Sequence, residues 1–245
     1  MQFDAKQYWE ERLSRQFDLA GTGTLGFSRP YIRLLYRLKE RAVLQSIKTN
    51  KLSVTGRSVL DIGSGTGFFV DFYSRFNPAF IVGLDITQVS VDRLNHQYPN
   101  HRFVQADIGE PIHLQTGFDI INAQDVFYHI VDDRKFDQAM ENMVQLSHPG
   151  TILFFSEVFE SKTLAAAPHV KFRSSTVYQE ALRRRGFRIL EVRPIYCLMN
   201  LPWPSVPVSV LNVAAPLLYV ADRALLRLGV KRKNNTKLIT CQKRI

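Results

Sequence analysis

From residue 57 onward, short apolar runs bounded by Gly, Pro or an acidic residue alternate with stretches of helical spacing. The runs predict strands over 57–62, 80–85, 102–106, 118–122, 151–156 and 187–193. Apolar positions three and four apart predict helices near 66–76, 88–97, 134–147 and 175–185. His148-Pro149-Gly150 is expected to turn the chain into the strand at 151, because Pro ends a helix and Gly permits reversal. Strands alternating with helices imply parallel pairing through right-handed crossovers, hence an α/β fold with a doubly wound sheet. Such sheets bind ligands beyond the carboxyl ends of their strands, near the switch in strand order.

The flanks read differently. Residues 3–17 space Phe3, Tyr8, Trp9, Leu13 and Phe17 as a helix does; a Gly-rich loop over 21–26 follows, then a basic helix over 30–47. Pro30 suits the first turn of that helix, where its missing N–H costs nothing. The last strand, 237–242, is expected to pair antiparallel with 187–193, which makes 195–235 an apolar, proline-punctuated insertion. The expected organisation is an N-terminal helical cap, 1–56, on one domain, 57–245. Pro204, Pro207, Pro216 and Asp222 argue against a spanning helix in the insertion. Arg223, Arg227, Lys231, Arg232 and Lys233 beside Leu217, Leu218, Leu225 and Leu226 suit a helix lying at a membrane surface. Three roles stay open for this segment: a lid over an apolar pocket, a peripheral membrane contact through 195–233, or an oligomer interface.

Composition adds a charge map. The chain has 245 residues, 45% of them hydrophobic, and a net charge of +10. Residues 58–160 carry 5 basic against 14 acidic side chains, whereas 161–245 carry 16 against 3 and 1–57 carry 11 against 5. An acidic centre with basic flanks favours anionic partners such as nucleic acid, anionic lipid or a phosphorylated substrate. Cys197 and Cys241 offer neither a disulfide framework nor metal spacing, and residues 1–20 are charged and unlike a signal peptide. A cytoplasmic location, with peripheral membrane attachment as an option, is the expectation. Asp132 and Asp133 are adjacent and are expected to cap the helix from 134; no metal ligand set emerges.

The stretch Val59-Leu60-Asp61-Ile62-Gly63-Ser64-Gly65-Thr66-Gly67-Phe68-Phe69 carries the chemistry: a buried-type strand, an acid, then three alternating glycines. Glycine lets a ligand lie against bare backbone and tolerates positive φ. Two more strands end in acids, at Asp85 and at Ala106-Asp107. A dinucleotide site would need G-x-G-x-x-G, but Phe68 and Phe69 follow Gly67, and a pyrophosphate would gain nothing from Asp61.

With Gly83-Leu84-Asp85, Gln105-Ala106-Asp107-Ile108, Phe118-Asp119-Ile120-Ile121 and Pro149-Gly150-Thr151-Ile152, the series resembles the class I S-adenosylmethionine-dependent methyltransferases, in order and interval, over roughly 57–160. The resemblance implies a Rossmann-like, mostly parallel seven-stranded sheet with an antiparallel last strand. It implies S-adenosylmethionine as cofactor, held by Asp61, Gly63, Gly65, Gly67, Asp85, Ile86, Asp107, Ile108 and Gln124. Asp61 would meet the ammonium, Asp85 both ribose hydroxyls, and Asp107 with the Ile108 amide the adenine. The segment after the fourth strand, 122–130, would lie beside the transferring methyl. A hydroxyl nucleophile needs a base, and His titrates nearest neutrality. His129 and His169 are the candidates, with Tyr128 and Asp125 behind them.

The implied activity is methyl transfer to a small, apolar, sugar- or lipid-linked acceptor, at oxygen. Alternatives are an RNA methyltransferase, suggested by the basic C-terminal region, and a non-catalytic cofactor-binding subunit. Asn122-Ala123-Gln124-Asp125 departs from the Asn/Asp-Pro-Pro-aromatic signature of adenine and glutamine N-methylation.

Overall fold

The computed structural model describes residues 3–114, 117–200 and 205–244. Four helices or strands lead into the sheet: α1 (Ala5–Arg15), α2 (Leu19–Thr22), α3 (Arg29–Thr49) and β1 (Ser58–Ile62). There follow α4 (Phe68–Ser74), β2 (Phe80–Asp85), α5 (Gln88–Gln97), β3 (Arg102–Gln105) and β4 (Phe118–Ala123). A 3₁₀ turn (Phe127–His129) leads to α6 (Asp133–Gln145), β5 (Ser147–Glu157), β6 (Leu164–Ala167), β7 (Val170–Phe172), α7 (Ser175–Arg184) and β8 (Phe187–Pro194). The insertion contributes α8 (Val208–Arg227) before β9 (Lys237–Lys243).

The sheet order is β3-β2-β1-β4-β5-β9-β8, with β9 antiparallel to both neighbours and every other pairing parallel. This is the expected seven-stranded, doubly wound sheet. β1 is buried along its whole length, so an unbroken apolar run was needed there rather than an alternating one. Register places Asp61 opposite Gly83 on one side and Asn122 on the other, so the strand-end acids and the start of the 122–130 segment share one edge.

Each face of the sheet has its own apolar layer. Tyr31, Leu35, Leu38 and Val43 of α3 pack with Val59, Ile120 and Phe154, while Phe136, Met140 and Met143 of α6 pack with Leu60, Ile121 and Phe155. The boundary expected after residue 56 therefore does not separate two cores: α3 is one of the layers covering the sheet. Side-chain caps set the helix starts, Ser28 for α3, Thr87 for α5, Asp132 for α6 and Ser174 for α7.

Four local features differ from the expectations. His148-Pro149-Gly150 lies within the start of β5, where the pairing with β4 slips between Phe118 and Ile120. Extra residues are absorbed as a bulge, and the His148 N–H donates to Thr151 Oγ1 at 2.9 Å, so no separate turn forms. Leu164–Ala167 and Val170–Phe172 form a hairpin that the Ala-rich sequence did not signal, since Ala is poor in strands. Gly21 and Thr22 belong to the short α2, capped by Asp18, rather than to a loop. Finally, α8 runs unbroken through Pro216, at an exposed position, with Pro207 as its N-cap. The expected Leu201, Pro202, Trp203 and Pro204 part of the insertion lies outside the described residues.

Asp222 ties α8 to the fold. It is fully buried and its carboxylate accepts the N–H groups of Cys197 (3.1 Å), Leu198 and Met199 (3.1 Å). Asp222→Ala should destabilise the protein by about 3–5 kcal/mol, because three buried donors lose their acceptor together. Chemical denaturation checks this; a change below about 1 kcal/mol would show that water replaces the carboxylate.

Candidate active site

A cavity of about 830 Å³ opens along the carboxyl edge of β1, β2, β3 and β4, near the upper end of the size range of small-molecule sites, roughly 300–1,000 Å³. Its floor is the glycine turn. Gly63 and Gly65 have φ of 69° and 52°, and the N–H groups of Gly63 and Ser64 both reach the Leu84 carbonyl, at 2.7 and 3.2 Å. A Cβ at Gly63 would stand 2.7 Å from Val126, so the turn must be bare there for the 122–130 segment to close over it. Gly67 does something else. It also has positive φ, but it caps α4 and packs against Leu94 and Tyr98, outside the cavity lining.

The buried network above the floor has a direction. Asp61, 2% exposed, accepts from Asn122 Nδ2 at 2.7 Å. The Asn122 carbonyl oxygen consequently faces Gln124, whose Nε2 donates to it at 3.0 Å. That fixes the remaining Gln124 atom: Oε1 is buried and has no hydrogen-bond partner among the described residues. Burial, with Asp85 adding repulsion, pushes the Asp61 carboxyl up to about 7. Asp61 lines the cavity, so its carboxylate can receive a cationic donor there.

Asp85 is buried and accepts from Gly65 N–H (2.7 Å), Thr87 N–H (2.9 Å) and Thr87 Oγ1 (2.7 Å). These take three of the roughly four lone-pair sites of a carboxylate. The expectation that Asp85 accepts both hydroxyls of a diol is therefore narrowed to one, unless Gly65 releases it. Burial raises the Asp85 pKa despite those donors. Asp107 accepts from Gly109 N–H and from Lys135 Nζ, both at 2.8 Å, and Ile108 is held through its carbonyl by Asn142 at 2.7 Å. Ile86 lines the cavity and its carbonyl accepts from Gln105 at 3.2 Å.

The far end of the cavity is aromatic. Tyr36, Phe68, Trp9, Tyr128 and His129 line it. His129 Nδ1 is 2.9 Å from the His169 carbonyl oxygen. A carbonyl only accepts, so Nδ1 carries the hydrogen and Nε2 keeps a lone pair. Burial pulls the His129 pKa down to about 4, which keeps the ring neutral. His169 itself does not line the cavity; its ring stacks between His129 (5.8 Å) and Tyr8 (5.1 Å), and its carbonyl sets the His129 tautomer. Burial, with Asp125 and Glu157 near, holds the Tyr128 phenol well above its ordinary value, so Tyr128 stays a proton donor.

Lys39 went unread in the sequence. It lies on the buried face of α3, between Leu35 and Ala42, and its ammonium contacts Asp125 at the cavity wall. A lysine at a helix-period apolar position was the signal available. Burial opposes its charge, but Asp125 outweighs that and holds Lys39 above the usual lysine value; burial likewise opposes the Asp125 charge, and Lys39 holds Asp125 below the usual carboxylate value. Asp125 has a φ of 59°, and Ser156 Oγ donates to its carboxylate at 2.6 Å.

α1 closes the mouth. Trp9 packs edge-on against His129 at 5.1 Å, and the Arg12 guanidinium reaches the Ala20 and Gly23 carbonyls. The Glu10 carboxylate accepts the N–H groups of Gln88 (2.7 Å) and Val89 (3.0 Å) at the start of α5. Thr22 of α2 also lines the cavity.

Residues 31–192 match the family described as Methyltransferase domain. No curated protein is similar in sequence at a significant level. Among solved structures, a magnesium protoporphyrin IX methyltransferase from Synechocystis PCC 6803 with bound S-adenosylmethionine superposes with a TM-score of 0.64 at 15% identity, covering 98% of each chain. The N-methyltransferase NodS of Bradyrhizobium japonicum WM9, in complex with S-adenosyl-L-homocysteine, gives 0.60 at 15% identity over 96% of this chain and 98% of its own. A TehB-like methyltransferase of Corynebacterium glutamicum gives 0.59 at 14% identity over 97% and 99%. At such identities the likeness is one of fold.

Proposed function

The chain belongs to the methyltransferase-domain family, and on that premise we propose that it moves a methyl group from S-adenosylmethionine to the oxygen of a small, apolar, sugar- or lipid-linked acceptor in the cytoplasm. The observation that supports the cofactor assignment is Asp61, buried at the cavity wall and oriented by the Asn122 amide, an anionic acceptor for an amino-acid ammonium. Asp85 and Ile86 would serve the ribose and Asp107 and Ile108 the adenine, and all four line the cavity together with Gly63 and Gly65. When bound, S-adenosylmethionine supplies an electrophilic methyl on a sulfonium.

The aromatic end holds the acceptor. Tyr36, Phe68 and Trp9 suit an apolar or ring-containing body, and Lys39, neutralised by Asp125, adds no free charge. His129 Nε2 would accept the proton that the acceptor hydroxyl loses as its oxygen takes the methyl. Asp125 favours the imidazolium that results. Tyr128, whose phenol hydrogen-bonds to Asp125, lines the same end and would orient the acceptor by packing. Alignment of the two reacting atoms is the larger share of catalysis in such a displacement.

Incubation with methyl-labelled cofactor and a cell extract separated into lipid, small-molecule and RNA fractions tests the acceptor class. Label is expected in the lipid or small-molecule fraction, and Asp85→Ala is expected to lower incorporation at limiting cofactor by roughly tenfold, one charge-assisted contact. Label confined to RNA would replace this reading with an RNA methyltransferase, and no label in any fraction with a cofactor-binding subunit.

A further inference from the structure

The exposed large apolar side chains concentrate on one helix. Val210, Val213, Leu217 and Val220 are 53%, 84%, 76% and 62% exposed, and their spacing of three and four places them on a single face of α8. The opposite face is the one that packs: Leu211, Ala215 and Asp222 are buried against α3 and the 195–199 segment. Leu25, 73% exposed, precedes Gly26, which lies beside Val208 at the start of α8; there the Ser28 N–H donates to Asn212 Oδ1 at 2.8 Å and Asn212 in turn donates to the Gly26 carbonyl. The stripe runs about 15 Å at a helical rise of 1.5 Å per residue, half the length of the 20-residue helix. At its far end come Leu228 and Val230, then exposed Arg227, Lys231, Arg232 and Lys233.

We propose that this face of α8 seats the protein on an anionic lipid bilayer, with the stripe in the acyl boundary and the basic cluster among the headgroups. Charge selects the occupant. From 208 to 233 the acidic residue present is Asp222, which is buried and engaged by three backbone N–H groups, so a second copy presenting the same surface brings no counter-charge to the cations. Anionic headgroups do, at roughly a fivefold gain in partitioning per basic residue. α8 is long and apolar enough to cross a bilayer. Crossing would strip Asp222 from its three donors and α8 from α3, whereas lying in the interface disturbs neither. The surface is independent of the reaction: Thr22 of α2 lines the cavity, and the loop after it carries Gly26 to the start of α8, so docking brings the cavity mouth near a lipid surface.

Sedimentation with phosphatidylcholine vesicles, with and without phosphatidylserine, tests this on the full chain. The protein should pellet with the anionic vesicles, less as salt rises. The pair Val213→Asp with Leu217→Asp should reduce partitioning at least about tenfold. Lys231→Gln with Arg232→Gln should reduce it by about fivefold per charge. Both pairs sit at exposed positions, and unchanged melting and cofactor binding would show that the fold and the methyl-donor site are intact. Failure of the wild type to pellet, equal pelleting with neutral vesicles, or no effect of either pair overturns the proposal. So does a dimer that the Asp pair dissociates, or retention of RNA in place of vesicles. Methyl transfer to a soluble acceptor, measured separately, reads the reaction without the surface.

Discussion

Asp61→Asn should weaken S-adenosylmethionine binding by about 10- to 100-fold at pH 8 and remove most of its pH dependence. The substitution keeps the acceptor for Asn122 Nδ2 and removes only the charge that a cationic donor would meet, a contact of about 1.5–3 kcal/mol. In the wild type the carboxyl sits at about 7, and a cation can use it fully once the proton leaves. Affinity should therefore climb as pH rises from about 5.5, by up to tenfold per unit, and level off above 7. Calorimetry at pH 6 in buffers of different ionisation enthalpy should register proton release for the wild type and little for Asp61→Asn.

The same group predicts a stability trade. Its pKa is raised in the folded protein, so the fold binds that proton more tightly than the unfolded chain. Stability from this group is full below its unfolded value near 4 and declines as pH rises through 7. Asp61→Asn should thus be the more stable protein at pH 8, by on the order of 2–4 kcal/mol, with the difference vanishing in acid. Parallel slopes of binding against pH in the two proteins would assign the titration to another group.

His129→Ala should lower kcat by about 10²–10³-fold while leaving cofactor affinity within about threefold, the range expected when a general base is lost and binding is not. His129→Asn discriminates mechanism from scaffolding, because its amide N–H can still donate to the His169 carbonyl while Nε2 is gone. If His129→Asn keeps wild-type turnover, the imidazole only positions the hairpin. Since burial holds His129 near 4, the acid limb of kcat/KM from this residue should fall near pH 4, with no loss between pH 6 and 8. The cofactor's own dependence through Asp61 would dominate that interval when cofactor is limiting.

The sheet was readable in the sequence because β1, β2, β4 and β5 each hold a dense apolar run with an acid or glycine at or near its end, a pattern with few alternatives. The helix over Gln88–Gln97 and the antiparallel pairing of the last two strands follow from the same signals. The three alternating glycines looked equivalent in one dimension. In the fold Gly63 and Gly65 face the cavity while Gly67 serves the packing of α4 on α5, since a turn rotates successive residues to different sides. Asp107 could be placed on the edge but not seen to be paired with Lys135, 28 residues further on. Lys39 meets Asp125 across 86 residues, and no local pattern encodes such a meeting. His148-Pro149-Gly150 had ordinary turn chemistry, and the strand absorbed it because Phe118 and Thr151 supply partners on either side.

The Glu10 carboxylate spans from the first helix to the two N–H groups opening α5, directly after the acid assigned to the ribose. Glu10 itself stands outside the cavity lining, but it ties α1, whose Trp9 lines the cavity, to the segment after Asp85. Any release of spent cofactor that displaces α1 must break these two hydrogen bonds, and turnover under saturating acceptor is then expected to run at the rate of that opening rather than of bond exchange.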